Sequence, residues 1–329
     1  MQIHKPTETD YPQIVAIHNS LDIVWPQWPL DPQAWIEADR NRSPKCRFQR
    51  FVAIEDGCVV GAASYGNRLD DYHPQKYYIN IEVLANYRRR GIGSALYDHL
   101  MEELNPYDPK ILRTDILENQ IQSYPFVQKR GFKEVWRETP VHLDVNAFDA
   151  VPYASFDDQL AADGIQITTL KALGDDPNRN CKAYDLYMTL AADVPSEYVE
   201  FTPIPFEDWE KMCIDYPGSD LAGFFVATHE GRYVALHDLY LDSKATVLMG
   251  GLLGTLNSHR GKRIGLSLIV RAITFAKEHG ISVFKTCTAI TNAPMQALFR
   301  KLGFAYDPQW LQCQKDLWEE KSDYGAYEY

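Results

Sequence analysis

Hydrophobic residues recur along the chain with two different periods, and their order predicts alternating strands and helices. Residues 51–65 (FVAIEDGCVVGAASY) hold two apolar runs around Asp56-Gly57, which predicts a β-hairpin. Residues 77–85 (YYINIEVLA) are β-branched and aromatic, so they predict a further strand. Over residues 92–104 the apolar positions recur at helical spacing, which predicts an amphipathic helix.

The same order of elements appears twice. In the first half a strand at 111–117 and a helix near 120–130 follow, and Gly131 is expected at the end of that helix. The second half predicts a strand near 247–256, a helix at 264–279 capped by Gly280, a strand at 281–289 and a helix at 293–302 before Gly303. A helix is also expected near the start of each half, around 8–20 and around 181–192.

Three sequence matches relate the two halves at nearly one offset. They are Phe51-Val52-Ala53 with Phe225-Val226-Ala227 at 174 residues, Arg88 and Gly93 with Arg260 and Gly265 at 172, and Gly131-Phe132 with Gly303-Phe304 at 172. An offset of this length indicates a domain duplication. We therefore predict one domain over 1–150 and a second over 165–329. The polar, non-periodic segment 151–164 is predicted to be the linker.

A basic, glycine-bearing turn lies between the strand at 77–85 and the helix that follows it. Its backbone N–H groups would lie at a helix N-terminus, where they lack intrahelical partners and where the helix dipole attracts anions. The turn predicts a pyrophosphate site; the alternative is a solvated basic turn that caps the helix. The residues concerned are Arg88, Arg89, Arg90, Gly91, Ile92, Gly93 and Ser94.

Other phosphate-binding motifs do not fit this turn. The GxGxxG order of dinucleotide sites and the GxxxxGK[ST] order of P-loops are both missing. The order [Q/R]-x-x-G-x-[G/A] after an apolar strand instead resembles the acetyl-CoA signature of the GNAT superfamily. Asn119, Phe126 and Gly131-Phe132 are similar to the family's next segment, and so is TNAPMQALFRKLGF, which begins at Thr291.

The resemblance implies an α/β fold of two tandem GNAT-like domains, each a mixed, splayed sheet flanked by helices. It implies acetyl-CoA as co-substrate, with pantetheine paired to the backbone around Ile81 and Val83, and with Asn119 and Phe126 on the cofactor side. The acetyl carbonyl would be polarised by a backbone N–H near Val83. The implied activity is that of an N-acetyltransferase, in which an amine attacks acetyl-CoA directly in a ternary complex.

The second half departs from the motif, because Arg263 replaces its first glycine. This segment could be either a second cofactor site or the structural remnant of one, and the sequence leaves both interpretations open. The residues of this second candidate site are Arg260, Gly261, Lys262, Arg263, Gly265 and Asn292.

The catalytic groups are harder to assign. The tyrosine that many relatives place four residues before the Gly-Phe pair is Val127 in the first half and Phe299 in the second. Tyr124 is our candidate acid, with ordinary packing as the alternative. Glu82 is our candidate base, although it could also be a carboxylate that faces away from the acyl group. A CoA-binding or interaction protein without activity is therefore the second functional hypothesis.

Net charge and composition restrict the classes of molecule that the protein is expected to bind. The net charge of −12 argues against nucleic acid and favours an amine acceptor, either a small molecule or a peptide. The sequence shows no CxxC or other metal-ligand spacing, no signal peptide and no membrane span, so no metal and a cytoplasmic location are expected. Monomer and homodimer are both open. Trp25, Trp28 and Trp35 either pack locally or line the acceptor pocket.

Overall fold

The computed structural model describes residues 1–20, 31–195, 201–216, 218–242 and 246–318. Its strands are β1 (Gln2–His4), β2 (Phe48–Glu55), β3 (Cys58–Gly66), β4 (Lys76–Val83), β5 (Ile111–Leu117), β6 (Lys133–Asp144), β7 (Ile165–Thr169), β8 (Phe225–His229), β9 (Arg232–Leu241), β10 (Val247–Thr255), β11 (Val283–Ala289), β12 (Ala305–Tyr306) and β13 (Trp310–Asp316). Its α-helices are α1 (Tyr11–Asn19), α2 (Pro32–Arg40), α3 (Ile92–Leu104), α4 (Ser123–Gln128), α5 (Phe156–Ala162), α6 (Arg179–Ala192), α7 (Phe206–Trp209), α8 (Ile264–Glu278) and α9 (Ala293–Leu302).

The strands and helices predicted from periodicity are confirmed, with small shifts at their ends. The hairpin over 51–65 corresponds to β2 and β3, and the helix predicted over 92–104 is α3. The expectation for Gly131 is also confirmed. Its φ is +83°, its N–H donates to the Gln128 carbonyl at 3.0 Å and Phe132 N–H donates to the Val127 carbonyl at 3.2 Å, which is the Schellman arrangement that caps the end of α4.

The chain divides into two compact units, which we call unit 1 and unit 2. Unit 1 comprises Met1–Glu138, Glu197–Thr202 and Pro308–Tyr329, and unit 2 comprises Thr139–Ser196 and Pro203–Asp307. These units do not coincide with the predicted ranges 1–150 and 165–329. The segment predicted to be a linker, 151–164, contains α5, whose Leu160 is 3% exposed in the core of unit 2.

Unit 1 is a mixed sheet with helices on both faces. Its strand order is β1-β2-β3-β4-β5-β13-β6, antiparallel except for β4 and β5. Successive residues of β2 face opposite sides: Val52 packs with α1 and α2, whereas Phe51 and Ala53 pack with α3. One core therefore lies on each face of the sheet.

The parallel strands of unit 1 separate soon after they meet. β4 pairs with β5 only where Lys76–Tyr78 lie beside Ile111–Arg113, although β4 continues to Val83. The C-terminal part of β4 thus borders a gap in the sheet. This is the splayed sheet that the resemblance implied.

Unit 2 repeats this architecture. Its strand order is β7-β8-β9-β10-β11 followed by the part of β6 from Thr139 onward, which also pairs with β12. The parallel strands β10 and β11 pair only between Val247–Met249 and Val283–Lys285. The second sheet is therefore splayed at the equivalent place.

One strand of each unit comes from a distant part of the chain. In unit 1, β13 lies between β5 and β6 and pairs with both, although it follows all of unit 2 in sequence. In unit 2, the strand beside β11 is the second part of β6. This part begins at Thr139, directly after the first segment of unit 1 and far from β11 in sequence. The sequence repeat did not predict this exchange, because it locates similar segments and not their neighbours in the sheet.

Candidate active site

The edge of β4 that borders the gap carries backbone groups that β3 does not use, and one of them, the Val83 carbonyl, accepts from Arg88 Nε. Leu84 N–H donates to the Val60 carbonyl at 3.0 Å, so even-numbered residues of β4 direct their backbone toward β3. The intervening residues Ile81 and Val83 therefore direct N–H and C=O into the gap. An extended ligand lying beside β4 could pair with these groups as an additional strand would.

The turn after β4 brings the chain to the N-terminus of α3. Arg89 and Gly91 have φ of +64° and +86°, and Ala95 N–H is the first to bond within the helix, to the Gly91 carbonyl. The four N–H groups before it have no intrahelical acceptor. A Cβ at Gly91 would meet nothing within 4 Å, so its positive φ, and not crowding, favours glycine there.

Arginine side chains surround this helix N-terminus. Arg88 Nε donates to the Val83 carbonyl at 3.0 Å, the Arg90 guanidinium lies 4.9 Å from the centre of the Tyr87 ring, and Arg130 Nη2 donates to Ser94 Oγ at 2.8 Å. None of these guanidinium groups, nor that of Arg89, pairs with a carboxylate among the described residues. The helix dipole and this uncompensated charge together favour a phosphate.

The predicted residues that follow β5 lie on and before α4. The Phe126 ring lies 3.3 Å from where a Cβ of Gly93 would be, so a side chain at Gly93 would fit only if this ring shifted by a few tenths of an ångström. The Arg130 guanidinium stacks on the Phe126 ring, 3.6 Å from its centre. Tyr124 is half-buried against the core of unit 1, and Asn119 is exposed in the turn after β5.

Glu82 lies on the face of the sheet that α1 covers, and it is 6% exposed. Its Oε1 accepts hydrogen bonds from His18 Nδ1 at 2.7 Å and from Asn80 Nδ2 at 2.9 Å. No other hydrogen bond to Glu82 is made by the described residues, so Oε2 is left with its lone pairs free. His18 comes from α1, where it is 3% exposed and lies 5.2 Å from the Trp35 ring.

Charged side chains continue along the face of the sheet that carries Glu82. Asp71 accepts from Lys76 Nζ at 2.6 Å, Arg113 Nη1 at 2.9 Å and the Tyr78 hydroxyl at 2.5 Å. Burial is the main cause that raises the pKa of Tyr78 to about 12.

Carboxylates lie farther along this face. Arg68 pairs with Asp115 at 3.0 Å and stacks on Tyr78. Burial, followed by the charges of Asp115 and Asp70, raises the pKa of Glu138. Arg68 offsets part of this effect, because its positive charge lowers the same pKa.

Unit 2 bends its loop at the same two places but exchanges the residues. Gly261 and Arg263 have φ of +80° and +66°, so glycine and arginine occupy the positions of Arg89 and Gly91 in reverse order. Arg263 turns toward α5, 5.3 Å from the Phe156 ring, and Lys262 is exposed.

The remaining residues of the second candidate site have structural partners. Arg260 donates to the Thr255 carbonyl and also pairs with Asp193 at 3.0 Å. Asn292 caps α9 by accepting from Met295 N–H at 3.3 Å. Gly265, unlike Gly93, has open space around it.

The positions behind β10 that correspond to His18 and Glu82 hold an apolar residue and a glycine instead of a polar pair. At the offset of 172 residues, His18 corresponds to Leu190 and Glu82 to Gly254. Leu190 is 3% exposed, and its Cδ1 lies 2.9 Å from where a Cβ of Gly254 would be. A leucine therefore occupies the space that the polar pair fills in unit 1.

Two further predictions concern metals and tryptophans. In the described part of the chain, no three His, Cys, Asp or Glu side chains form a group that could hold a metal ion. No helix in this part is long and apolar enough to cross a membrane. Trp35 is buried on α2 beside His18, whereas Trp25 and Trp28 lie outside the described residues.

Sequence reasoning missed His18, Asn80 and Arg130. Asn80 was detectable in principle, because strand alternation places it on the same face as Glu82. His18 comes from α1 and Arg130 from the turn after α4, and their contacts depend on how these helices pack on the sheet.

Comparisons with known proteins agree with this geometry. The profile of the acetyltransferase (GNAT) family matches twice, over residues 14–132 and 183–304. No curated protein gives a match to the sequence.

Several solved structures share the fold over nearly the whole chain. A tandem GNAT protein from the clavulanic acid biosynthesis pathway is 17% identical, with a TM-score of 0.70 over 96% of this chain and 98% of its own. A GCN5-related N-acetyltransferase from Sphaerobacter thermophilus is 15% identical, with a TM-score of 0.68 over 96% and 95%. A putative acetyltransferase from Pyrococcus horikoshii is 14% identical, with a TM-score of 0.56 over 96% and 89%.

Proposed function

Because the chain belongs to the acetyltransferase (GNAT) family, we propose that unit 1 transfers an acetyl group from acetyl-CoA to a primary amine of a small molecule or peptide. The observation that carries this proposal is the gap beside β4, which ends at the N-terminus of α3. One edge of the gap offers the backbone of Ile81 and Val83, and its end offers unpaired N–H groups and arginines. This combination suits pantetheine joined to a pyrophosphate.

The acyl group would lie near Val83, whose N–H is directed into the gap. A hydrogen bond from this N–H to the thioester oxygen would stabilise the negative charge that develops as the amine attacks. We propose Glu82 as the base, because its Oε2 is unoccupied on the adjacent face of β4. Tyr124 stays a prediction as the acid for the departing thiolate.

The acceptor is proposed to be cationic. The charges of Asp115 and Asp70 act on Glu138, Arg68 offsets only part of them, and the net charge of the chain is −12. A second amino group on the acceptor would be attracted to these carboxylates. We propose a cytoplasmic protein that binds neither nucleic acid nor membrane; whether it is a monomer or a homodimer stays open.

For unit 2 we propose a different role. Its loop keeps the bend needed to present backbone N–H groups, but Leu190 fills the space beside Gly254 where unit 1 has its polar pair. This contact favours a structural or CoA-binding role without turnover.

Calorimetry with acetyl-CoA tests the cofactor site. Gly91→Glu places a carboxylate where the pyrophosphate is proposed to bind, and we expect binding to unit 1 to be lost. Gly57→Glu is the matched control, since Gly57 also has a positive φ and open space around its Cβ. Unchanged affinity and stoichiometry in Gly91→Glu would refute the site.

A thiol-release assay tests the reaction. Wild-type protein with acetyl-CoA is expected to release free thiol with at least one amine in a panel of spermidine, kanamycin, glucosamine and alanylglycine. Binding of acetyl-CoA with no thiol release from any amine would favour the CoA-binding alternative.

A further inference from the structure

The two oxygens of Glu82 are held in different ways. A carboxylate can only accept hydrogen bonds, so His18 donates from Nδ1 and Asn80 from Nδ2, both to Oε1. Two donors on one oxygen fix the rotation of the carboxylate about its terminal bond. Oε2 is consequently held in one direction and is free to accept a proton.

His18 is an unusual choice for the interior of α1. It is 3% exposed, and its Nε2 has no hydrogen-bond partner among the described residues. A buried polar atom without a partner costs free energy, so packing alone favours an apolar residue here. The ring is therefore better explained by what Nδ1 does than by its contribution to the core.

Unit 2 shows that the fold does not require this pair. There the equivalent positions hold Leu190 and Gly254, in direct contact, within the same arrangement of helix and strand. Both members of the polar pair are replaced together, as expected if each is useful only with the other.

We propose that His18 is a positioning residue for acyl transfer, which acts by fixing Glu82. The inference rests on the proposed function of unit 1. As the amine nitrogen attacks the thioester carbon, a C–N bond forms and the C–S bond breaks. The proton lost by nitrogen passes to Glu82 Oε2 and then to solvent; the CoA thiolate takes a proton from Tyr124, the candidate acid, which regains one from solvent. His18 keeps Oε2 directed at the nitrogen throughout.

The test compares kinetic constants of substituted full-length proteins, with acetyl-CoA and whichever amine of the panel reacts fastest. His18→Leu introduces the residue that unit 2 uses, and we expect kcat to fall about 100-fold. The KM for acetyl-CoA should stay within about twofold, because the cofactor gap is unchanged. His18→Asn keeps an N–H near the position of Nδ1, so kcat should recover to within about tenfold of wild type.

A double substitution separates positioning from a general structural effect. If His18 acts only through Glu82, His18→Leu combined with Glu82→Gln should be no slower than Glu82→Gln alone. Multiplied losses would overturn the proposal. His4→Leu, at an exposed histidine of β1, controls for the substitution itself. If His18→Leu fails to fold, Asn80→Ala removes one donor from an exposed side chain, and kcat should still fall by about threefold or more.

The failures are distinguishable. A kcat for His18→Leu within about threefold of wild type, with Glu82→Gln strongly impaired, refutes the positioning role alone. An inactive wild-type protein that binds acetyl-CoA refutes the proposed function, and the inference with it.

Discussion

Unit 1 and unit 2 bend the loop after their splayed strand in the same way but with different residues. Each loop takes a left-handed conformation twice, at Arg89 and Gly91 in unit 1 and at Gly261 and Arg263 in unit 2. Glycine is the least strained residue in this conformation, yet each loop places arginine at one of the two positions. The duplicated feature is therefore the path of the backbone, which presents N–H groups to a ligand, and not a glycine at a fixed place.

The opposite faces of the two sheets have diverged further. Unit 1 holds a buried histidine and carboxylate, where unit 2 holds a leucine against a glycine. The loop arginine also differs, since Arg260 pairs with Asp193 while Arg88 has no carboxylate partner in the described part of the chain. Unit 2 thus keeps the bend of the loop but not the polar pair of unit 1.

The largest expected effect is on turnover. Glu82→Gln keeps the shape of the side chain but removes the base, so kcat should fall by about 10²- to 10⁴-fold. Calorimetry should find the affinity for acetyl-CoA unchanged, because the proposed cofactor contacts come from the backbone of β4 and the N-terminus of α3 and not from the Glu82 side chain. A kcat close to that of wild type would exclude Glu82 as the base.

The stability of each unit should respond to its own core. Leu311, on β13, is 5% exposed in the core of unit 1, and Leu248, on β10, is fully buried in that of unit 2. Either change to Ala should cost about 3–4 kcal/mol. Hydrogen exchange should report faster opening of β5 for Leu311→Ala and of β10 for Leu248→Ala. Faster exchange in β10 alone for Leu311→Ala would contradict the assignment of β13 to unit 1.

Two buried groups should make the stability of unit 2 depend on pH. Burial raises the pKa of Asp238 from 3.8 to about 6, so the folded state binds more protons than the unfolded state between these values. Stability then falls as the pH rises through this window, by about 3 kcal/mol for a shift of roughly two units. Burial lowers the pKa of His237 from 6.5 to about 4, and its contribution rises with pH over a similar window.

The two groups therefore oppose each other, and Asp238→Asn should leave the histidine unopposed. Urea unfolding should show the stability of this variant rising by about 3 kcal/mol more than that of wild type between pH 4 and pH 7. Parallel pH profiles for the two proteins would disprove the assignment of this effect to Asp238.

The smallest effect concerns the contact that replaces the polar pair. Gly254→Ala would bring a methyl group within 3 Å of Leu190, which should cost about 1–2 kcal/mol of stability. Thiol release should be unaffected, since unit 2 is not the reacting unit. A loss of turnover equal to that of Glu82→Gln would instead place chemistry in unit 2.

Features that depend on residues close together in the sequence were predictable, and contacts between residues far apart in the sequence were not. The loop at 88–94 and the helix after it are local, so motif and periodicity located both. The contact of His18 with Glu82 spans 64 residues, and the periodicity of α1 indicates only a buried face. The exchange of strands between the two units was not predictable either, because the local sequences of β6 and β13 do not indicate which strands they pair with. The polarity of 151–164 concealed α5, whose buried face is one turn long.

The most direct test is the initial rate of thiol release after the same change in each loop. Gly91 and Gly261 both have positive φ and empty space around the Cβ, so substitution by Glu strains each loop alike. With acetyl-CoA and the best amine of the panel, we expect Gly91→Glu to abolish turnover and Gly261→Glu to retain it. Retained turnover in Gly91→Glu, with loss in Gly261→Glu, would contradict the assignment of catalysis to unit 1.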